Sequence, residues 1–304
     1  MRRISVIIAA LVLAGCSVIR TGAVNIIGNV LTDGGGTVYN SDSDPELIEE
    51  ALPFGLKTFE SLLAASPKHQ GLLLASANGF AAYAYLLQQR ADRLDATDLD
   101  GARHLRQRAS ALYLRGRDYA LRGLDVSHAD FGANVRRDPA MALAATTKTD
   151  VDFLYWAGAA WAGALSADKD NADLIADLPI PGAIMTRVLA LDETYDHGSA
   201  HEFFIAYEGG RPGGDLAQAR EHYRRALELS GGERASVYLA LAENVDVRMQ
   251  NLMEFRSMIE AALAVDPDRV PESRLVNTIA RQRAEWLKGR IADLFADAEE
   301  GEPK

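Results

Sequence analysis

The chain has 304 residues, a net charge of −11 and an apolar share of 48%. That length can bury a substantial core, while an acid excess without any basic run excludes nucleic acid or an anionic lipid surface as charge-held partners. A single cysteine, Cys16, leaves no disulfide and no thiolate metal site.

The first element is an N-terminal signal. Arg2 and Arg3 are followed by apolar or small residues from Ile4 to Ala14, and the stretch closes on Leu13-Ala14-Gly15-Cys16. The run falls short of the roughly 20 apolar residues that cross a bilayer. It resembles the bacterial lipoprotein signal, which implies cleavage between Gly15 and Cys16. Cys16 then becomes the new N-terminus, carrying diacylglycerol and palmitate as covalent groups and not as a cofactor. An ordinary secretory signal with an incidental cysteine is the alternative. Each buried CH₂ contributes about 0.8 kcal/mol, so several acyl chains hold where one lets go. Loss of residues 1–15 takes the charge to about −13. Ser17 after the cysteine favours the inner leaflet of the outer membrane over the inner membrane.

Residues 16–44 read as a tether, with Gly34-Gly35-Gly36 and Ser41-Asp42-Ser43-Asp44, and with room for a short helix from Ile26 to Leu31. Asp44-Pro45-Glu46 then opens the first strong helix by supplying a cap, a first-turn proline and an acid at the positive dipole end. From there, apolar residues recur at three- and four-residue spacing and no period-two stretch appears. The pattern predicts helices over 46–65, 69–94, 100–125, 150–167, 181–192, 199–208, 215–230, 233–247, 251–265 and 272–297. Breaks fall at Ser66-Pro67, Asp138-Pro139, Asp192-Glu193, Ser230-Gly231-Gly232 and Asp266-Pro267, and Pro53 should kink the first helix. The expected fold is all-α, a tetratricopeptide-like solenoid of helical hairpins in one domain over 45–298, followed by an acidic tail, 299–304.

An internal repeat supports the solenoid. Ala219, Tyr223 and Ala226 stand at i, i+4 and i+7, and Phe255, Ile259 and Ala262 repeat that spacing 36 residues later. On the preceding helices, Phe203 and Ala206 match Leu239 and Ala242. Small residues at such positions let paired helices approach closely.

Candidate functional residues are few. His197, His201 and Glu202 could share one helix surface as metal ligands, although their order differs from the known histidine–glutamate zinc motifs and Gly198 interrupts them. His201 and Glu202 could instead line a concave face or an internal channel. Tyr83, Tyr155, Trp156, Trp161, Tyr207 and Trp286 are candidate cavity or partner-binding aromatics, with core packing as the plainer reading. Arg103, Arg106, Arg108, Arg115, Arg117 and Arg122 form a charged helix face suited to ion pairs or to an acidic partner. No phosphate loop, nucleophile elbow or cysteine nucleophile is present, so the residues carry no enzyme signature.

Several stretches carry a family resemblance. They include Ala51-Leu52-Pro53-Phe54-Gly55-Leu56-Lys57, Leu112-Tyr113-Leu114-Arg115-Gly116-Arg117-Asp118-Tyr119 and Leu154-Tyr155-Trp156-Ala157-Gly158-Ala159-Ala160-Trp161. Further on come Ile175-Ala176-Asp177-Leu178-Pro179, His201-Glu202-Phe203 and Arg220-Glu221-His222-Tyr223-Arg224-Arg225-Ala226-Leu227. From about Asp44 to Phe295 the chain resembles the T-component lipoproteins of tripartite ATP-independent periplasmic (TRAP) transporters. The resemblance implies a periplasm-facing, non-catalytic homotrimer whose partner is the solute-binding P-component. A general adaptor lipoprotein of envelope assembly and a His/Glu metalloenzyme are the competing readings.

Overall fold

A computed structural model of the chain describes residues 35–296, together with 25, 27–29, 31 and 32. Gly15, Cys16 and the signal, as well as the tail over 299–304, lie outside the described residues. The described residues contain helices and no strand. In chain order these are α1 (Gly35–Asn40), α2 (Pro45–Ala65), α3 (Gln70–Leu94), α4 (Leu99–Ser127), α5 (Phe131–Arg137), α6 (Pro139–Ala144), α7 (Val151–Ala167), α8 (Ala172–Ala176), α9 (Pro179–Leu191), α10 (Ser199–Gly210) and α11 (Leu216–Leu229). α12 starts as Ala235–Leu241 and passes through a π-helical turn, Ala242–Asp246, into Val247–Met249; α13 (Leu252–Ala264), α14 (Arg274–Lys288) and α15 (Ile291–Leu294) follow.

The predicted start of α2 is realised in detail. The Asp44 carboxylate accepts from the Glu46 and Leu47 amides at 3.1 and 3.0 Å, ahead of Pro45 in the first turn. α2 continues through Pro53 as one helix, and Pro53 lies half-buried on its side. Asp138-Pro139 is less a break than a junction. It ends α5, and its carboxylate caps α6 by accepting from Met141 at 3.0 Å. The predicted 272–297 helix divides after Lys288 into α14 and α15. Part of the tether belongs to the packed body. Gly28 is buried against His69, α1 packs on α14, and the Arg274 guanidinium donates to the Ser41 carbonyl at 2.9 Å.

Two kinds of core result. The N-terminal half has one large apolar core built mainly from α3, α4, α7 and α9, centred on Trp161, which is fully buried. Alanines at the α3–α4 crossing (Ala77, Ala84, Ala109 and Ala120) are fully buried. A Cβ on Gly116 would lie 2.9 Å from the Ala77 carbonyl oxygen, so the two backbones are nearly touching. The C-terminal half carries two smaller cores, one of Ile205, Ala219, Ala226, Val237, Leu241 and Val245, the other around Phe255, Ile259, Ala262 and Ala284. Ala219, Ala226, Phe255, Ile259 and Ala262 thus occupy the packed positions that the repeat assigns them. On α10 the register is shifted. Ala206 is exposed and Ile205 and Gly209 face α11 and α12, whereas Leu239 and Ala242 pack into the next core with Phe255 and Ile259.

The coil closes on itself. α14 packs against α1 and α2, and Arg283 reaches Gln89 and Asp92 of α3 at 3.1 and 2.9 Å while pairing with Glu243 of α12 at 2.6 Å. The last long helix is thereby tied to the first hairpin.

Candidate functional site

Closing the coil turns side chains of α3, α7, α10, α12 and α14 toward one another. Glu202 of α10 pairs with Arg234 at 3.3 Å. Arg234 also donates to the Asp196 carbonyl and carboxylate, at 2.5 and 2.8 Å. Tyr155 of α7 packs edge-on to Trp156 and tilted against Tyr195, each with ring centres 5.2 Å apart, and Tyr195 donates to Asp152 at 2.8 Å. Burial raises the Glu202 carboxyl pKa, with Arg234 opposing, and burial raises the Tyr155 hydroxyl as well. Tyr85 of α3 is 40% exposed, yet burial among protein atoms, with the Glu243 charge adding, pushes its hydroxyl up to about 12. Tyr85, Tyr155, Glu202 and Arg234 thus gather as a first site, a largely shielded polar cluster in which Glu202 is near both tyrosines and Arg234 near Tyr155 and Glu202.

A second cavity, of about 500 Å³, opens between α9, α10 and α11. Pro179, Ala183, Leu189, Phe204 and Tyr207 give it apolar walls, and Glu208, Arg211 and His222 give it one polar end. Tyr207 donates to the Leu178 carbonyl at 3.1 Å, and Arg211 holds Glu208 through both carboxylate oxygens at 2.9 and 2.7 Å. A third hollow, of about 460 Å³, lies between α2, α3 and α14, with Tyr83 on its wall.

The sequence candidates therefore separate. Tyr155, Trp156 and Glu202 come together at the polar cluster. Tyr207 belongs to the second cavity, and Tyr83, which accepts from Arg108 at 3.1 Å, to the third. Trp161 lies in the core with Arg117 and Arg136 stacked over its rings at 4.8 and 4.4 Å, which removes it from any cavity wall. Trp286 packs between Arg283 and Arg290 at the C-terminal core. His197, His201 and Glu202 diverge. His197 is exposed in a left-handed conformation, His201 turns to Glu193 and His222, and Glu202 turns to Arg234. They cannot share a metal, which corrects that reading. No group of three or more His, Asp or Glu that could hold a metal occurs among the described residues.

The basic face of α4 is engaged inside the fold. Arg106 pairs with Asp92 and Asp95, Arg115 with Glu60, Arg117 with Asp118, and Arg103 with Asp100. Arg108 and Arg122 lie over Tyr83 and Tyr119.

Sequence reasoning missed His222, whose neighbours Glu221, Arg224 and Arg225 suggest a solvated face. The available signal was its register: His222 stands three residues after Ala219 and four before Ala226, on the packed side of α11.

Among the described residues, no helix is long and apolar enough to cross a membrane. An uncharacterised protein of Treponema pallidum (strain Nichols) is 26% identical over 268 residues, covering 86% of this chain and 83% of the relative. Residues 41–295, which span the entire closed coil, match the TRAP transporter T-component family, and the chain belongs to that family.

Proposed function

We propose that this T-component is a non-catalytic scaffold that docks the solute-binding P-component of a TRAP transporter and assists ligand uptake. In this reading the acylated Cys16 moors the chain to the bacterial envelope, in the inner leaflet of the outer membrane, and the helical body faces the periplasm as a homotrimer. The observation that supports the reading is the polar cluster inside the coil together with the cavity of about 500 Å³ beside it. In the cluster the charges of Glu202, Arg234 and Asp196 are paired with each other and not arranged around a nucleophile, and the cavity between α9, α10 and α11 has apolar walls and a polar end. Concave spaces with apolar walls and few polar groups are where proteins receive small molecules.

Co-purification tests the docking. Tagged full-length chain, expressed with the TRAP P-components of its own genome and extracted in mild detergent, should retain one of them through washing; repeated failure to retain any overturns the proposal. Cys16→Ser should abolish palmitate labelling and release the chain into the soluble periplasmic fraction.

A further inference from the structure

His201 and His222 meet nitrogen to nitrogen, Nδ1 to Nδ1, at 2.8 Å. The other nitrogen of His201, Nε2, lies 3.1 Å from Glu193 Oε1. Glu193 is gripped by Arg225 through both oxygens, at 2.9 and 2.7 Å, and this Arg225 bonding, helped by His201, holds its carboxyl down at about 2. It is therefore an obligatory acceptor, and His201 must carry its proton on Nε2. Neutral His201 then offers a bare Nδ1, so His222 must donate from its own Nδ1. The consequence reaches the cavity. His222 lines it and His201 does not, so Nε2, across the ring from the shared bond, is the His222 nitrogen left to the cavity, and in the neutral pair it carries a lone pair.

One added proton reverses this. Whether the proton resides on His201 or on His222, the bond between the rings survives only with N–H on His222 Nε2. A second proton would set two N–H groups against each other across 2.8 Å, so the pair holds one at a time. We propose that the cavity between α9, α10 and α11 binds a small, largely apolar molecule by one polar group at His222 Nε2, and that a single proton on the His201–His222 pair switches that atom from hydrogen-bond acceptor to donor.

The surroundings suit the role. The Phe204 ring stacks on His222 with centres 4.8 Å apart, fixing the imidazole plane. The cavity residues of α9, such as Ala183, Thr186 and Leu189, bring no ionisable group. α10 brings Glu208, already matched by Arg211, and α11 brings Glu221 and Arg225. Burial lowers both histidines, and the His201 charge lowers His222 further against the pull of Glu208 and Glu221. The switch therefore operates on the acid side of the ordinary histidine range.

The site stands whether or not a P-component docks, and the test uses the chain alone. Long-range proton–nitrogen spectra of the ¹⁵N-labelled chain at about pH 8, above the ordinary histidine range, should show His222 protonated on Nδ1 and bare on Nε2, and His201 protonated on Nε2. Acidification should add one proton to the pair well before a second. His222 found as the Nε2–H form at high pH, or two histidines titrating independently, overturns the switch. Phenol and benzoate then probe the cavity by calorimetry, with shift changes read over residues 178–189 and 204–222. Acidification should weaken phenol and strengthen benzoate, each by about tenfold, the equivalent of 1.4 kcal/mol, and His222→Phe should remove both trends. Persistence of the trends in that variant, or no binding of either probe, refutes the site.

Discussion

The two halves of the molecule solve the same packing problem differently. In the N-terminal half, long helices share one apolar core, with Trp161, Leu154, Ile184 and Met185 wholly out of solvent. In the C-terminal half, hairpins bury small patches and place polar groups between them. Asp246 is fully buried beside Arg220 and Glu254, and Asn277 bridges to Ala235 and Glu233 at 3.0 and 2.9 Å. Apolar burial is indifferent to pH, whereas buried carboxyls are not. The polar cluster and the histidine pair lie at the seam, where α10 contributes Phe204 to the first core and Ile205 to the second.

The largest effect should come from the apolar half. Trp161→Ala empties the centre of its core and should cost about 3–5 kcal/mol, read by chemical denaturation. A loss below about 1 kcal/mol would deny that half a single core. Next is the close crossing in the repeat half. A Cβ on Gly209 would lie 2.7 Å from both the Cβ and the carbonyl oxygen of Asn244. Gly209→Val should therefore cost about 3 kcal/mol by overpacking and should raise amide exchange in α10 to α12 before α3 and α4. Uniform exchange would merge the halves into one unit.

Arg283→Ala removes the tie between the halves and leaves Glu243 uncompensated. Asp92 keeps Arg106, so the loss falls mainly on Glu243. The change should cost about 2 kcal/mol, and limited proteolysis should cut first around α14. Cutting unchanged from wild type would mean that the closure is incidental. The smallest effect separates the halves by pH. Burial, with Glu254 adding, raises Asp246 above its ordinary value, while Arg220 lowers Glu254. The native state holds its Asp246 proton to higher pH than the unfolded chain does, so this group's contribution falls as pH rises above the ordinary aspartate range. Asp246→Asn keeps the neutral form and should flatten that fall, gaining about 1 kcal/mol at neutral pH. An unchanged pH–stability curve would show that Asp246 is not the group responsible.

Much of this fold is legible in the residues, and the failures share a cause. Helices carrying strong periodicity, such as α2, α3 and α4, begin and end within a few residues of their predicted limits, because capping and apolar spacing are local. α5, α6 and α8 are too short to show a period, and Asp138 serves two helices at once. The site was less legible. Glu202 and Tyr155 stand out as residues, but their meeting depends on how α7 packs near α10, and the nearby closure on Arg283 joining elements more than 190 residues apart. The choice between His201 as a zinc ligand and His201 as half of a histidine pair depends on which way α10 rotates against α11, which spacing within one helix does not record.

The most direct measurement of the functional account is calorimetric titration of residues 16–304, without lipid, by the P-component that co-purification selects. Saturable binding at a fixed stoichiometry is the result the account predicts. A flat titration with two well-folded proteins would contradict it.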